Sequence, residues 1–172
     1  MLIIMSGLPG TGKSTIARDL ARRLNGFHLR ADTIAQSLIS AGVVIEDNNP
    51  TSYVVGHAIA EENLRLGAVV IADYVNSTEE SRRAWRDVAS RAEVSFEEVE
   101  VTCSDVFEHQ RRVENRVSDI PGMELPTWQQ VVNRTFEKSK TGSTIIDTAA
   151  ANIEETLDAL VVPIKTSLRK DI

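Results

Sequence analysis

The chain has 172 residues, 42% hydrophobic and 26% charged, with a formal net charge of −6. This is ordinary usage for one globular domain with a real core, and the acidic balance without any basic run disfavours long nucleic acid as a partner. Cys103 is the only cysteine, so an intrachain disulfide is excluded. No apolar stretch approaches the roughly 18 residues of a spanning helix, and the chain starts directly at a strand with no room for a signal peptide, so a cytoplasmic protein with no membrane role is expected.

The first predicted strand, residues 2–6, carries the apolar run Leu2-Ile3-Ile4-Met5. Directly after it comes Gly7-Leu8-Pro9-Gly10-Thr11-Gly12-Lys13-Ser14-Thr15, which reads as G-x-x-x-x-G-K-[ST], the phosphate-binding loop of nucleoside triphosphatases. Polyphosphate must be wrapped by backbone N–H groups at close range, which calls for glycines free of Cβ and able to take positive φ. Lys13 supplies a point charge for the β- and γ-phosphates and Ser14 a hydroxyl for Mg²⁺, while the helix beginning here points its positive dipole end at the anion. A glycine-rich turn matching by accident is the alternative. Against it, Ile16, Ala17, Leu20, Ala21 and Leu24 recur at helical spacing over 13–24, and Asn25-Gly26 stops the run, so strand, loop and helix follow in the required order.

The second predicted strand is 27–30, with Asp32 just beyond it. Thr33 and Gln36 form a capping box for a helix over 33–41, which leaves Asp32 free to point into a cleft as general base toward a substrate hydroxyl; the alternative is that Asp32 itself caps that helix. A short acidic segment, Ile45 to Pro50, precedes a helix over 52–66. Where an acceptor would bind, its charge makes a polyanionic substrate unattractive unless arginines offset it.

A third strand over 68–72 is continuously apolar, as expected for a strand buried on both faces, and ends at Asp73. A carboxylate at the carboxyl end of a strand beside the phosphate loop is placed to hold Mg²⁺ with Ser14; capping of the next turn is the alternative. A helix over 78–92 follows, with Ser77 and Glu80 as its capping box. In the fourth strand, 98–103, Glu98 and Glu100 alternate with Val99, Val101 and Cys103, which suggests one exposed face.

A helix over 105–117 places Arg112 and Arg116 four residues apart on one face, where a pair of guanidinium forks could reach over bound phosphate. Glu108 lies four residues before Arg112, so an ordinary surface ion pair is the alternative. Helices over 127–138 and 152–162 carry boxes at Thr127/Gln130 and Asn152/Glu155 and flank a last strand at 143–147. Beyond Pro163 the tail is expected to fray. His28, His57 and His109 lack metal-ligand spacing and read as hydrogen-bonded residues without chemistry, while Trp85 and Trp128 read as core. Strands alternating with helices throughout define an α/β fold, a five-stranded parallel sheet with helices on both faces, in a single domain.

These landmarks together, from Gly7–Thr15 through Arg30-Ala31-Asp32, the 53–73 helix and strand, Arg112-x-x-x-Arg116 and Ile145-Ile146-Asp147-Thr148, resemble the small P-loop kinases of the AAA_33 type. Those are similar to the 5′-kinase domain of polynucleotide kinase, chloramphenicol phosphotransferase and gluconate kinase. The resemblance implies a P-loop NTPase fold with a small helical lid at about 105–138, and ATP and Mg²⁺ as donor and metal. It further implies Asp32 as base, Arg112 and Arg116 as a phosphate clamp, and Thr148 with Ala149 beside the adenine. Arg30, Tyr74, Asn76 and Arg82 would face the acceptor.

The function expected is ATP-dependent transfer of the γ-phosphate to a hydroxyl of a small molecule, by a monomer or small homo-oligomer. A second kinase reading places the acceptor on a nucleoside monophosphate or a polynucleotide 5′-hydroxyl. A nucleotide-dependent switch is the rival from another class, but N-K-x-D is absent and Asp73-Tyr74-Val75-Asn76 lacks the glycine of D-x-x-G.

Overall fold

Alternation along the first strand sets the layers. β1 (Leu2–Ser6) sends Ile3 and Met5 to one face of a sheet and Leu2 and Ile4 to the other, all buried. The structure is a computed structural model that describes residues 1–44, 50–139, 142–150 and 153–168, with residues 167 and 168 described for backbone only. The acidic segment Ile45–Asn49 and the Asn152 cap lie outside the described residues.

After β1 come α1 (Lys13–Leu24), β2 (Phe27–Arg30), α2 (Ala31–Ser40), α3 (Thr51–Arg65) and β3 (Val70–Asp73). They are followed by α4 (Glu79–Arg91), β4 (Phe96–Thr102), α5 (Val106–Asn115), α6 (Trp128–Val132), β5 (Thr144–Asp147) and α7 (Ile153–Leu168). The five strands pair in the order β2-β3-β1-β4-β5 and every pair is parallel. The expected fold class therefore stands: a parallel sheet with helices on both faces. Register aligns Met5 with Asp73 and Asp73 with Arg30, so these residues end at one edge of the sheet.

Beneath one face, Ile16, Ala17 and Leu20 of α1 and Leu157, Leu160, Val161 and Ile164 of α7 pack against Ile3, Met5, Val99 and Val101. On the other, Ala60 and Leu64 of α3 and Trp85, Val88 and Ala89 of α4 cover Leu2, Ile4, Val70 and Ala72. Burying a residue such as Leu20 completely contributes about 2 kcal/mol, so these two layers dominate what holds the sheet.

Several local expectations are corrected. α7 does not stop before Pro163 but runs through it to Leu168, because Ile164 beyond the proline is still needed in the core and packing outweighs the lost amide. α4 is capped by Thr78 with Ser81, one residue later than the expected box. α6 is only five residues long, although Thr127 and Gln130 do form their box. Glu98 is buried rather than exposed, since Arg86 (2.5 Å) and Ser139 (2.8 Å) both bond its carboxylate.

Candidate active site

At the carboxyl edge of the sheet a cavity of about 930 Å³ opens between the 7–15 loop, the start of α2 and the segment from Arg112 to Arg134. The loop enters it through backbone geometry that only glycine tolerates. Gly10 has φ +87°, and a Cβ there would run into the Val113 side chain of α5; Gly12, at φ +92°, caps α1 with Thr148 packed behind it. Leu8, Pro9, Gly10, Gly12, Lys13, Ser14 and Thr15 border the cavity, whereas Gly7 and Thr11 lie behind and shape the turn. Thr148 also stands behind the loop: its hydroxyl lies 2.7 Å from the Thr11 carbonyl and accepts from Arg112 Nη1 at 2.7 Å.

The loop's outer turn is fixed by a residue that sequence alone left without chemistry. His109 of α5 is buried, and its Nε2–H donates to the Pro9 carbonyl at 2.8 Å, with the Trp128 ring edge-on at 5.1 Å. The loop is thus tied to the two helices that follow β4.

Lys13 and Asp73 form the centre of the site. Lys13 Nζ donates to Asp73 Oδ1 at 2.5 Å, and His28 Nε2 meets Oδ2 at 3.1 Å. Burial opposes the charge on Asp73, but Lys13, His28 and Ser14 together outweigh it and hold the carboxyl well below the usual carboxylate range. Among the described residues no cluster of three or more His, Cys, Asp or Glu side chains could hold a metal alone. The Ser14 hydroxyl with the Asp73 carboxylate fits a metal that takes its other ligands from phosphate and water.

Across the cavity stands Asp32. The capping argument for it is corrected: α2 begins at Ala31 with Arg30 as its N-cap and no side-chain cap bond, because the chain turns straight out of β2. Asp32 nonetheless borders the cavity from the first turn, and Arg30 Nη2 donates to it at 3.3 Å. Arg30 Nη1 reaches Asp119 Oδ1 at 2.8 Å and Arg18 Nη1 reaches Asp119 Oδ2 at 3.0 Å. Burial works against the Arg30 charge, yet Asp119, Asp32 and Asp73 raise its pKa; the bond from Arg30 in turn lowers that of Asp119.

The lid arginines differ from expectation in how they arrive. Arg112 borders the cavity while bonding both Glu108 (2.8 Å) and Thr148, so the ion pair and the cavity position coexist. With Arg111 and Arg112 both donating to it, the Glu108 carboxyl is lowered to about 2. α5 ends at Asn115, so Arg116 shares no helix face with Arg112; it reaches the cavity from extended backbone, half-buried, its Nε lacking a partner. Burial lowers the Arg116 pKa.

Two residues expected to face the acceptor do not. Asn76 is buried with φ +44° and donates through Nδ2 to the Met5 carbonyl at 2.7 Å, closing the end of β3 against β1. Arg82 is buried and gives its guanidinium to the Asn76 and Glu137 carbonyls, each at 2.8 Å. Tyr74 borders the cavity, but its hydroxyl donates to the Ser52 carbonyl at 2.9 Å under α3. Arg18, Asp119 and Arg134 join the cavity without any local sequence signal.

The family model AAA_33, described as an AAA domain, matches residues 2–135. Among solved structures, Kti12 of Chaetomium thermophilum in complex with ADP-AlF3 is 22% identical with a TM-score of 0.71, covering 98% of this chain and 99% of that one. A gluconokinase from Sinorhizobium meliloti 1021 is 16% identical with a TM-score of 0.63, covering 98% of this chain and 95% of that one. The Mycobacterium tuberculosis APS kinase CysC, in complex with AMPPNP and APS, is 15% identical with a TM-score of 0.63, covering 94% of this chain and 96% of that one. At these identities the likeness is one of fold. None of the curated proteins matches the chain. Among the described residues no helix is long and apolar enough to cross a membrane.

Proposed function

The chain belongs to the AAA_33 family, and from that premise we propose that it is an ATP-dependent phosphotransferase that moves the γ-phosphate to a hydroxyl of a small-molecule acceptor. The observation that carries this reading is that the Asp32 carboxylate opens on the same cavity as Lys13, Ser14 and Asp73. Kinase activity in the gluconokinase and the APS kinase, which share the fold, supports it.

In this reading the backbone N–H groups of Gly10, Gly12, Lys13 and Ser14 wrap the polyphosphate, and Lys13 exchanges Asp73 for the β- and γ-phosphates. Ser14 and Asp73 would hold Mg²⁺. When bound, the metal neutralises charge on the phosphate oxygens. Asp32 orients the acceptor hydroxyl and takes its proton as the oxygen attacks, with Arg30 fixing the carboxylate. Arg112 and Arg116 draw charge from the transferring group, and the segment they belong to keeps water from competing as acceptor. Thr148 braces the loop and Arg112 from behind.

The test is Asp32→Asn assayed with γ-labelled ATP against sugars, sugar acids and nucleosides, alongside calorimetry of Mg²⁺·ATP binding. The expected result is unchanged nucleotide affinity with transfer reduced at least about tenfold. Full transfer by the variant overturns the base assignment, and a wild-type chain with no magnesium-dependent ATP affinity overturns the kinase reading.

A further inference from the structure

The acceptor end of the cavity holds more positive charge than transfer to a neutral hydroxyl requires. Asp119, from the irregular segment between α5 and α6, gives one carboxylate oxygen to Arg18 of α1 and the other to Arg30 at the end of β2. A single carboxylate bridging guanidinium groups from two distant elements is the arrangement by which proteins bind an oxyanion. Around it, the Arg116 and Arg134 side chains border the same cavity and, among the described residues, make no ion pair or hydrogen bond. The Nε atoms of Arg30 and Arg116 are buried without an acceptor. A buried donor left unsatisfied costs about 1–3 kcal/mol, a cost that an anionic ligand would relieve. Arg134 and Asp32, the carboxylate assigned as base, border this one cavity.

We propose that the acceptor carries an oxyanion, a carboxylate or a phosphate, beside the hydroxyl that Asp32 addresses, and that Asp119 stands in for this group between Arg18 and Arg30. The proposal rests on the kinase reading above and deepens it by naming the acceptor class. Arginines from α1, β2 and the segment after α5 converge where the acceptor would lie. Binding displaces the Asp119 carboxylate, which is half exposed.

The experiment saturates the protein with Mg²⁺ and AMPPNP, so that the phosphate loop is filled, and then titrates inorganic phosphate and malonate separately by calorimetry. At least one is expected to bind, and the tighter of the two distinguishes a phosphate-bearing acceptor from a carboxylic acid. Arg30→Gln and the more exposed Arg134→Gln should each weaken that binding, the former by at least about tenfold as expected for a charge-assisted contact. Asp119→Ala should strengthen it, because the competing carboxylate is gone, an opposite sign that a misfolded variant cannot produce. Absence of anion binding in both the wild type and Asp119→Ala, with AMPPNP still bound, overturns this proposal alone, as does anion binding that neither arginine substitution alters. Failure to bind AMPPNP overturns the kinase reading and this proposal with it.

Discussion

Lys13 Nζ and Asp73 Oδ1 lie 2.5 Å apart, and the Asp73 side chain is wholly buried. A charge placed there without its partner is expensive, and removing one member of such a pair costs about 3–5 kcal/mol. Asp73→Ala is therefore expected to lower the unfolding free energy of the nucleotide-free protein by about 3 kcal/mol, as measured by urea denaturation at neutral pH. Because the folded carboxyl titrates below its unfolded value of about 3.9, its contribution is complete above that pH and is lost as pH falls further. The variant should consequently show a shallower loss of stability below about pH 4 than the wild type; identical acid limbs would contradict the assignment.

His109→Leu deletes the bond to the Pro9 carbonyl while keeping a side chain against Trp128. Nucleotide affinity by calorimetry should fall about fivefold, the worth of one buried hydrogen bond, with His109→Gln recovering part of it. An unaffected affinity would mean that the loop holds its shape without α5.

His57 packs edge-on against Trp85 at 4.3 Å, with its Nε2 buried and unpartnered. Burial, aided by Arg91, lowers its pKa. The unfolded chain therefore takes up the proton first, and stability is complete above about pH 6.5 and declines as pH falls below it. Urea midpoints of His57→Phe measured between pH 7.5 and 5 should fall less than those of the wild type.

Arg82→Met separates architecture from catalysis. Its loss strands the Asn76 and Glu137 carbonyls, so stability should drop by about 2–3 kcal/mol while Mg²⁺·ATP affinity at a temperature where the variant is folded stays within twofold or so. A variant that loses affinity without losing stability would return Arg82 to the binding machinery.

The phosphate loop was legible because its chemistry is written in consecutive residues, and the parallel sheet because Leu2–Met5 and Val69–Ala72 are continuously apolar while the helices between them are amphipathic. Local pattern misled where packing or a turn decided the outcome. A Thr33/Gln36 box looked complete, yet the chain entered α2 straight from Arg30. Arg112 and Arg116 matched helical spacing, yet the helix ended between them. Arg82 carried the charge of a ligand-binding residue, but its position on the α4 face shared by Trp85 and Val88 already pointed inward. Arg18, Asp119 and Arg134 had no local mark at all, since what gives them meaning is convergence of segments about 100 residues apart. His28 and His109 were recognised as hydrogen-bonded; only their partners, Asp73 and the Pro9 carbonyl, tell what they steady.

The stretch between α5 and β5 is moored at both feet. At one end His109 is fastened to Pro9; at the other, Glu137 gives its amide to the Ser77 carbonyl, accepts the Glu79 amide and receives Arg82. A chain anchored in this way behaves as an arch rather than a flap. Its crown, where Asp119 and Met123 sit, must travel farthest when a molecule passes beneath, while the footings stay beside the loop and α4.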